Sequence, residues 1–183
     1  MTETAASPDG TLERTADGGV IHFARHLPYP IEAVWDAITN PERLADWWLP
    51  FEADITIDLR PGGELVFAAT SGEPPPLVCT ILRVEPPVLF EHTAFVEGAV
   101  LLWELEAEPE GTVLWLHESI ASVDEAIEGG WLAGLHLSFA RLEPAIAGSP
   151  VPWDWDAVAD VWDRYAEQGL AIPGAAPGPE ALR

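Results

Sequence analysis

Alternation of apolar and polar positions divides most of this chain into short strands. Strand-like runs fall near 51–59, 64–69, 77–84, 88–95, 99–107 and 112–120, most of them separated by Gly or Pro, at the spacing of an antiparallel meander. Upstream, 11–14 and 20–27 predict a hairpin across Asp17–Gly18–Gly19, whose glycines supply the positive φ of a tight turn. Between hairpin and meander the period changes. Leu27 to Glu42 reads as a strand end followed by two short helices, near 30–38 and 41–47. Pro30 and Pro41 suit a first helical turn, where a missing N–H would be unpaired anyway. Asn40 is placed to cap the second helix, and Val34, Ala37 and Ile38 form one apolar face of the first.

Ser122–Val123–Asp124–Glu125 is a capping box, and it predicts one long helix running to about Ala147. Ile127, Trp131, Leu135, Ser138, Leu142 and Ala145 trace its apolar face. Gly129, Gly130 and Gly134 lie inside it, each at a cost of ~1 kcal/mol relative to Ala. Two readings account for them: close packing of backbone on the sheet, or cavity room beside Trp131. After a linker at Gly148–Pro152, Trp153–Gln168 predicts a last helix capped by Asp154 or Asp156. Its apolar face is Val158, Val161, Trp162 and Tyr165, directed at its own domain or at a partner subunit. The expected organisation is a disordered leader over 1–9, a domain over 10–148, a helical extension over 149–172 and a Pro/Gly/Ala-rich tail over 173–183.

Composition narrows the class. The chain has 183 residues, nine Trp and 48% hydrophobic residues, which suits one domain with a sizeable core and excludes a disordered class. No apolar run approaches the ~20 residues of a membrane-spanning helix, and the start lacks a basic flank followed by an apolar stretch. The single cysteine, Cys79, has no internal disulfide partner. A cytoplasmic protein is the expectation. Net charge is −23, and all eight basic residues are Arg. Such a field repels phosphates and anionic membranes, so neither nucleic acid nor a membrane is an expected partner.

Several landmarks occur in a telling order. Leu59–Arg60–Pro61–Gly62–Gly63–Glu64 resembles the Arg-Pro-Gly-Gly turn of the SRPBCC (START/Bet v1-like) superfamily. The run Val84–Glu85–Pro86–Pro87, then Leu89–Phe90–Glu91–His92–Thr93, Trp103–Glu104–Leu105, Gly111–Thr112 and Gly130–Trp131 resembles the branch named after the activator of Hsp90 ATPase. The likeness spans roughly Gly10 to Gly148. It implies an α+β helix-grip (Bet v1-like) fold: a curved antiparallel sheet wrapped around a long C-terminal helix, here with one extra terminal helix, and a hydrophobic cavity between sheet and helix. Many relatives carry Gly-Trp-His where this chain has Gly130–Trp131–Leu132, so a polar role held by that His is absent or moved, with His136 the candidate.

No nucleophile elbow, phosphate-cradling loop or metal-ligand motif is present, and neither a metal nor a cofactor is expected. His22, His26, His92, His117 and His136 are scattered. Strand alternation then selects cavity candidates. Thr112, Leu114, Leu116 and Glu118 share one face, assigned inward on the family's apolar pattern; Leu101, Trp103 and Leu105 are assigned inward and Glu104 outward. If Leu89 is inward, Glu91 is too, with Phe90 and His92 opposite. Glu118 and Glu91 are thus the candidate acid/base groups, because a low-dielectric site raises a carboxyl pKa toward neutrality, with His92 or His136 behind them. The alternative is that both carboxylates pair with Arg25, Arg60 or Arg83, or sit at wetted strand ends. Trp35, Trp48, Trp103, Leu105, Leu114, Leu116, Trp131 and Leu135 are the expected ligand-binding residues. Of the adjacent Trp47 and Trp48, one lines the entrance. Three functions are expected in order: binding of a small hydrophobic or aromatic molecule; a cyclase, dehydratase or hydrolase using cavity carboxylates; and an Hsp90-activating co-chaperone. A homodimer through the sheet edge or the last helix is a further possible partnership.

Overall fold

The computed structural model describes residues 8–178. The leader expected over 1–9 falls largely outside them, as does the end of the tail. Eight strands form one antiparallel sheet: β1 (Thr11–Thr15), β2 (Gly18–Leu27), β3 (Ala53–Ile57), β4 (Glu64–Ala69), β5 (Leu77–Glu85), β6 (Leu89–Thr93), β7 (Val100–Glu108) and β8 (Gly111–Ile120). Their order across the sheet is β1-β2-β8-β7-β6-β5-β4-β3. The meander closes because β8 pairs back onto β2, with Phe23 opposite Leu116 and Ile21 opposite Glu118. Helices α1 (Ile31–Thr39) and α2 (Pro41–Ala45) follow β2, and Asn40 caps α2 by accepting from the Glu42 N–H. The fold is the α+β helix-grip arrangement, a curved sheet around a long C-terminal helix. No helix among the described residues is long and apolar enough to cross a membrane.

The long helix expected from 122 to 147 is two helices, α3 (Val123–Glu128) and α4 (Trp131–Ile146). The break is at Gly130, which adopts φ +60°. A Cβ there would lie 2.1 Å from the Trp162 ring, so the bend admits a side chain from the following helix. Gly129 and Gly130 therefore approach the side chains of Trp131 and Trp162 rather than the sheet. Gly134 differs: nothing lies within 4 Å of a Cβ built on it.

Under the sheet centre lies an aromatic plug. Phe90, Trp103, Leu116 and Phe23 form one transverse row across β6, β7, β8 and β2. Phe139 of α4 stacks on Phe23 at 5.2 Å and meets Trp103 at 6.0 Å and Trp47 at 5.9 Å. Trp47 is fully buried, and its indole N–H donates to the Ala37 carbonyl at 2.9 Å. Rows of large side chains in contact fill space that a ligand would otherwise take.

Arginines fasten the helices. Arg141 of α4 donates from Nη1 to the Trp47 and Leu49 carbonyls at 2.9 and 2.7 Å, from Nη2 to Asp46 at 3.0 Å, and from Nε to Val151 at 2.9 Å. These carbonyls follow a helix end or lie in a linker, where no backbone partner is at hand. Arg43 of α2 donates to the last carbonyls of α4, Ala145 and Ile146, at 3.1 and 3.3 Å. The last helix, α5 (Trp155–Glu167), is capped by Asp154 and buries Val158, Val161, Trp162 and Tyr165. It packs against α4 of its own chain. The N-terminal segment docks on the same layer: the Gly10 N–H donates to Tyr165 Oη at 2.8 Å, and Asp9 pairs with Arg164 at 3.0 Å.

Two stability predictions follow from this packing. Gly130→Ala must strain a left-handed residue and displace Trp162, so urea unfolding should show a loss of about 2 kcal/mol or more; an unchanged midpoint would contradict the packing. Arg141→Met leaves several carbonyls without a donor and should cost roughly 2–4 kcal/mol in the same assay.

Candidate functional site

A second transverse row of the inner sheet face builds the site. Ile21, Glu118, Leu101, His92 and Ile81 face one another in turn across β2, β8, β7, β6 and β5. This row lies past the aromatic plug, where α4 begins and the sheet curls away from it. The gap left there is a cavity of about 350 Å³. Its floor is His92, Leu101 and Glu118; one wall is Trp48, Leu49 and Pro50; the α4 wall includes Trp131, Gly134, Leu135 and Ser138. Its far wall comes from the C-terminal extension, through Trp153, Trp155, Val158 and Trp162. Phe95 and Val96, in the turn between β6 and β7, also line it while remaining 41% and 38% exposed, and so mark an apolar mouth.

Two ionisable side chains line this space, Glu118 and His92. Glu118 is 7% exposed. It makes no hydrogen bond or ion pair with the described residues, and burial alone pushes its carboxyl up to about 7. His92 is the opposite case. It is 3% exposed, its Nδ1–H donates to the Thr93 carbonyl at 2.8 Å, and its Nε2 accepts from the Trp103 indole N–H at 3.1 Å. Both ring nitrogens are committed, and burial pushes the imidazole down to about 4 against the pull of the Thr93 carbonyl. His92 is a fixed neutral fixture of the floor. It stands two strands from Glu118, roughly 10 Å, too far for direct contact. Ser138 donates to the Trp48 carbonyl at 2.8 Å and so ties α4 to the opposing wall. The indole N–H of Trp153 is buried without an acceptor among the described residues.

The structure brings together Glu118, Trp48, Trp131 and Leu135 of the expected site residues. It leaves the others elsewhere. Trp103, Leu105, Leu114 and Leu116 face inward, as the alternation indicates, but are packed into the core, at most 4% exposed. Trp35 is half-buried on α1 with its ring edge toward Phe90, 6.5 Å away. Glu91 requires correction. In β6 the inward residues are Phe90 and His92, while Leu89, Glu91 and Thr93 point the other way. Pairing decides this, because Phe90 sits opposite Trp103 and His92 opposite Leu101. The proposed arginine partners are engaged elsewhere: Arg25 with the Pro8 carbonyl and over the Phe139 ring, Arg60 with Asp58, Arg83 with Glu85. His136 lies away from the cavity, 3.2 Å from Tyr165 Oη. On the outer face, His22 and His117 meet across β2 and β8 with Nδ1 atoms 2.7 Å apart. Trp153, Trp155 and Trp162 are cavity residues that strand alternation does not reach, because they arrive from another element.

Residues 28–147 match the family model described as activator of Hsp90 ATPase homolog 1-like protein. Among solved structures, CalU16 from Micromonospora echinospora is 25% identical, with TM-score 0.67 over 88% of this chain and 96% of that one. That span is longer than residues 1–148, so the likeness reaches the C-terminal extension. EF2215 from Enterococcus faecalis, a conserved protein of unknown function, shares the fold at 17% identity, with TM-score 0.70 over 87% and 89%. The AHSA1-like protein from Aeromonas hydrophila does so at 22%, with TM-score 0.61 over 70% and 92%. No curated protein matches the chain. The match from α1 through β3–β8 to α4 places this chain in the activator of Hsp90 ATPase homolog 1-like family.

Proposed function

We propose that the protein binds a small hydrophobic or aromatic molecule in the cavity between the sheet, α4 and the C-terminal extension. The observation that carries this is a cavity of about 350 Å³ with apolar walls and one unpartnered carboxyl, Glu118. Binding sites for small molecules commonly combine such walls with a few fixed polar groups. The exposed Phe95 and Val96 at the mouth support access from solvent. Gly134 supports the cavity-room reading of the helix glycines, since a side chain there would project into open space.

The state of Glu118 supports a role beyond packing. Protonation is favoured in the folded protein, so folding stability is fully present below the ordinary carboxyl pKa of 4.5 and is lost as pH rises through about 7. The loss amounts to about 3 kcal/mol, a penalty that an amide would avoid. A second reading rests on the same residue: a carboxyl titrating near neutrality can give or take a proton on a bound molecule. Glu91 has no part in it, because it faces away from the cavity. The Hsp90-activator reading rests on the family's name, and no feature of the cavity bears on it.

Three outcomes are expected. Gly134→Leu should preserve or raise the melting temperature, since Leu is a better helix former, while weakening calorimetric binding of naphthylmethanol at least tenfold; equal affinity would place the ligand elsewhere. The difference in unfolding free energy between Glu118→Gln and the native chain should grow in favour of the variant by about 3 kcal/mol between pH 4.5 and pH 8. His92 titrates in the opposite sense but is common to both proteins, so a flat difference would show that Glu118 is solvated or paired. Glu118→Gln should leave the affinity for this neutral aromatic within about tenfold.

A further inference from the structure

The polar character of the cavity points to one ligand chemistry. Its only side chain able to hold net charge at neutral pH, among the described residues, is the carboxyl of Glu118. No Arg lines the space, and the chain has no Lys. His92 is held neutral by burial, with its Nε2 accepting from the Trp103 indole N–H, against the opposing pull of the Thr93 carbonyl. The strands flanking Glu118 present Ile21 and Leu101. Arg141 lies 5.9 Å from the Trp153 ring centroid, with its N–H groups donating to carbonyls. The same cavity is lined by the indoles of Trp48, Trp131, Trp153, Trp155 and Trp162. Indole faces carry negative electrostatic potential and attract cations. The whole molecule adds to this with a net charge of −23, which draws cations toward it and slows the approach of anions.

We infer that the ligand class is a hydrophobic amine, an apolar or aromatic body bearing a protonated nitrogen, with the ammonium paired to Glu118 and the body among the tryptophans. This rests on the cavity being a ligand site, and it goes further by naming the complementary charge. A carboxylate-bearing ligand would place two like charges in a low-dielectric space. A neutral ligand can at most hydrogen-bond the carboxyl and leaves its charge uncompensated. An ammonium removes that penalty, because a buried charge is tolerated when paired. Pairing requires the ionised carboxylate, so binding to the protonated site must release one proton. Affinity should therefore fall about tenfold per pH unit once the pH is below the carboxyl pKa.

The test compares naphthylmethylamine, naphthylmethanol and naphthoate by isothermal titration calorimetry, repeated in buffers of different ionisation enthalpy. At pH 8 the amine should bind at least tenfold more tightly than the alcohol, and naphthoate more weakly than either. At pH 6 amine binding should release close to one proton per molecule, and by pH 5 its advantage should be gone. In Glu118→Gln the amine and alcohol should bind within threefold of each other, with alcohol affinity reporting that the site still forms. If the alcohol matches the amine in the native protein, or no proton is released at pH 6, the amine assignment is wrong while the cavity remains a binding site. If none of the three binds, both the amine assignment and the binding function fall together.

Discussion

One guanidinium holds the site together. Arg141 projects from the middle of α4 and reaches both sides of the cavity at once. Toward α2 it gathers the carbonyls of Asp46, Trp47 and Leu49, which fixes Trp47 in the core and Trp48 on the cavity wall. Toward the C-terminal extension it holds the Val151 carbonyl and lies near the Trp153 ring. The planar fork of Arg satisfies several acceptors from one rigid group, which a Lys ammonium does with less definition. The two walls most distant in sequence are thus positioned from a single point on the helix between them.

The interior is divided by that arrangement. On one side Trp47, Trp103, Phe139, Phe90 and Phe23 interlock and leave no room. On the other, Gly134 withholds a side chain and Gly130 lets the Trp162 ring of α5 close against the start of α4. Dry packing and open space lie on adjacent rows of the same strands, one residue pair apart on each inner face. The first row is packed core, and the second borders the candidate site. The unpartnered Glu118 is tolerated because the packed half supplies stability that the cavity half does not.

The strands were legible from their alternation, while their arrangement and the inward face of β8 came from the family resemblance. In β7, Leu101, Trp103 and Leu105 against Glu104 point one way; in β8, Leu114, Leu116 and Glu118 against Val113, Trp115 and His117 needed the family pattern to choose between faces. β6 has only five residues, with an apolar and a polar residue on each face: Leu89 with Glu91, Phe90 with His92. Its facing is set by the partner strand, which local pattern does not contain. The Ser122 cap was legible from sequence, and Asp154 was one of the two candidates read for the last helix, since caps are local chemistry. The break at Gly130 did not, because its cause is Trp162 in a different helix. For the same reason Glu118 and Trp131 were identifiable as cavity candidates, whereas Trp153, Trp155 and Trp162 were legible only as residues of the last helix. Which inward residues line open space and which are packed solid depends on Trp47 and Phe139 filling one half, a matter of side-chain volume rather than periodicity.

The most direct test of the account is native mass spectrometry of freshly purified protein, followed by release and identification of whatever it carries. The account predicts one small molecule per chain, apolar and bearing a basic nitrogen, lost when the cavity is filled by substitution. A chain at its own mass, both as purified and after incubation with a small-molecule extract of the cells that make it, would contradict the claim that this cavity is a binding site.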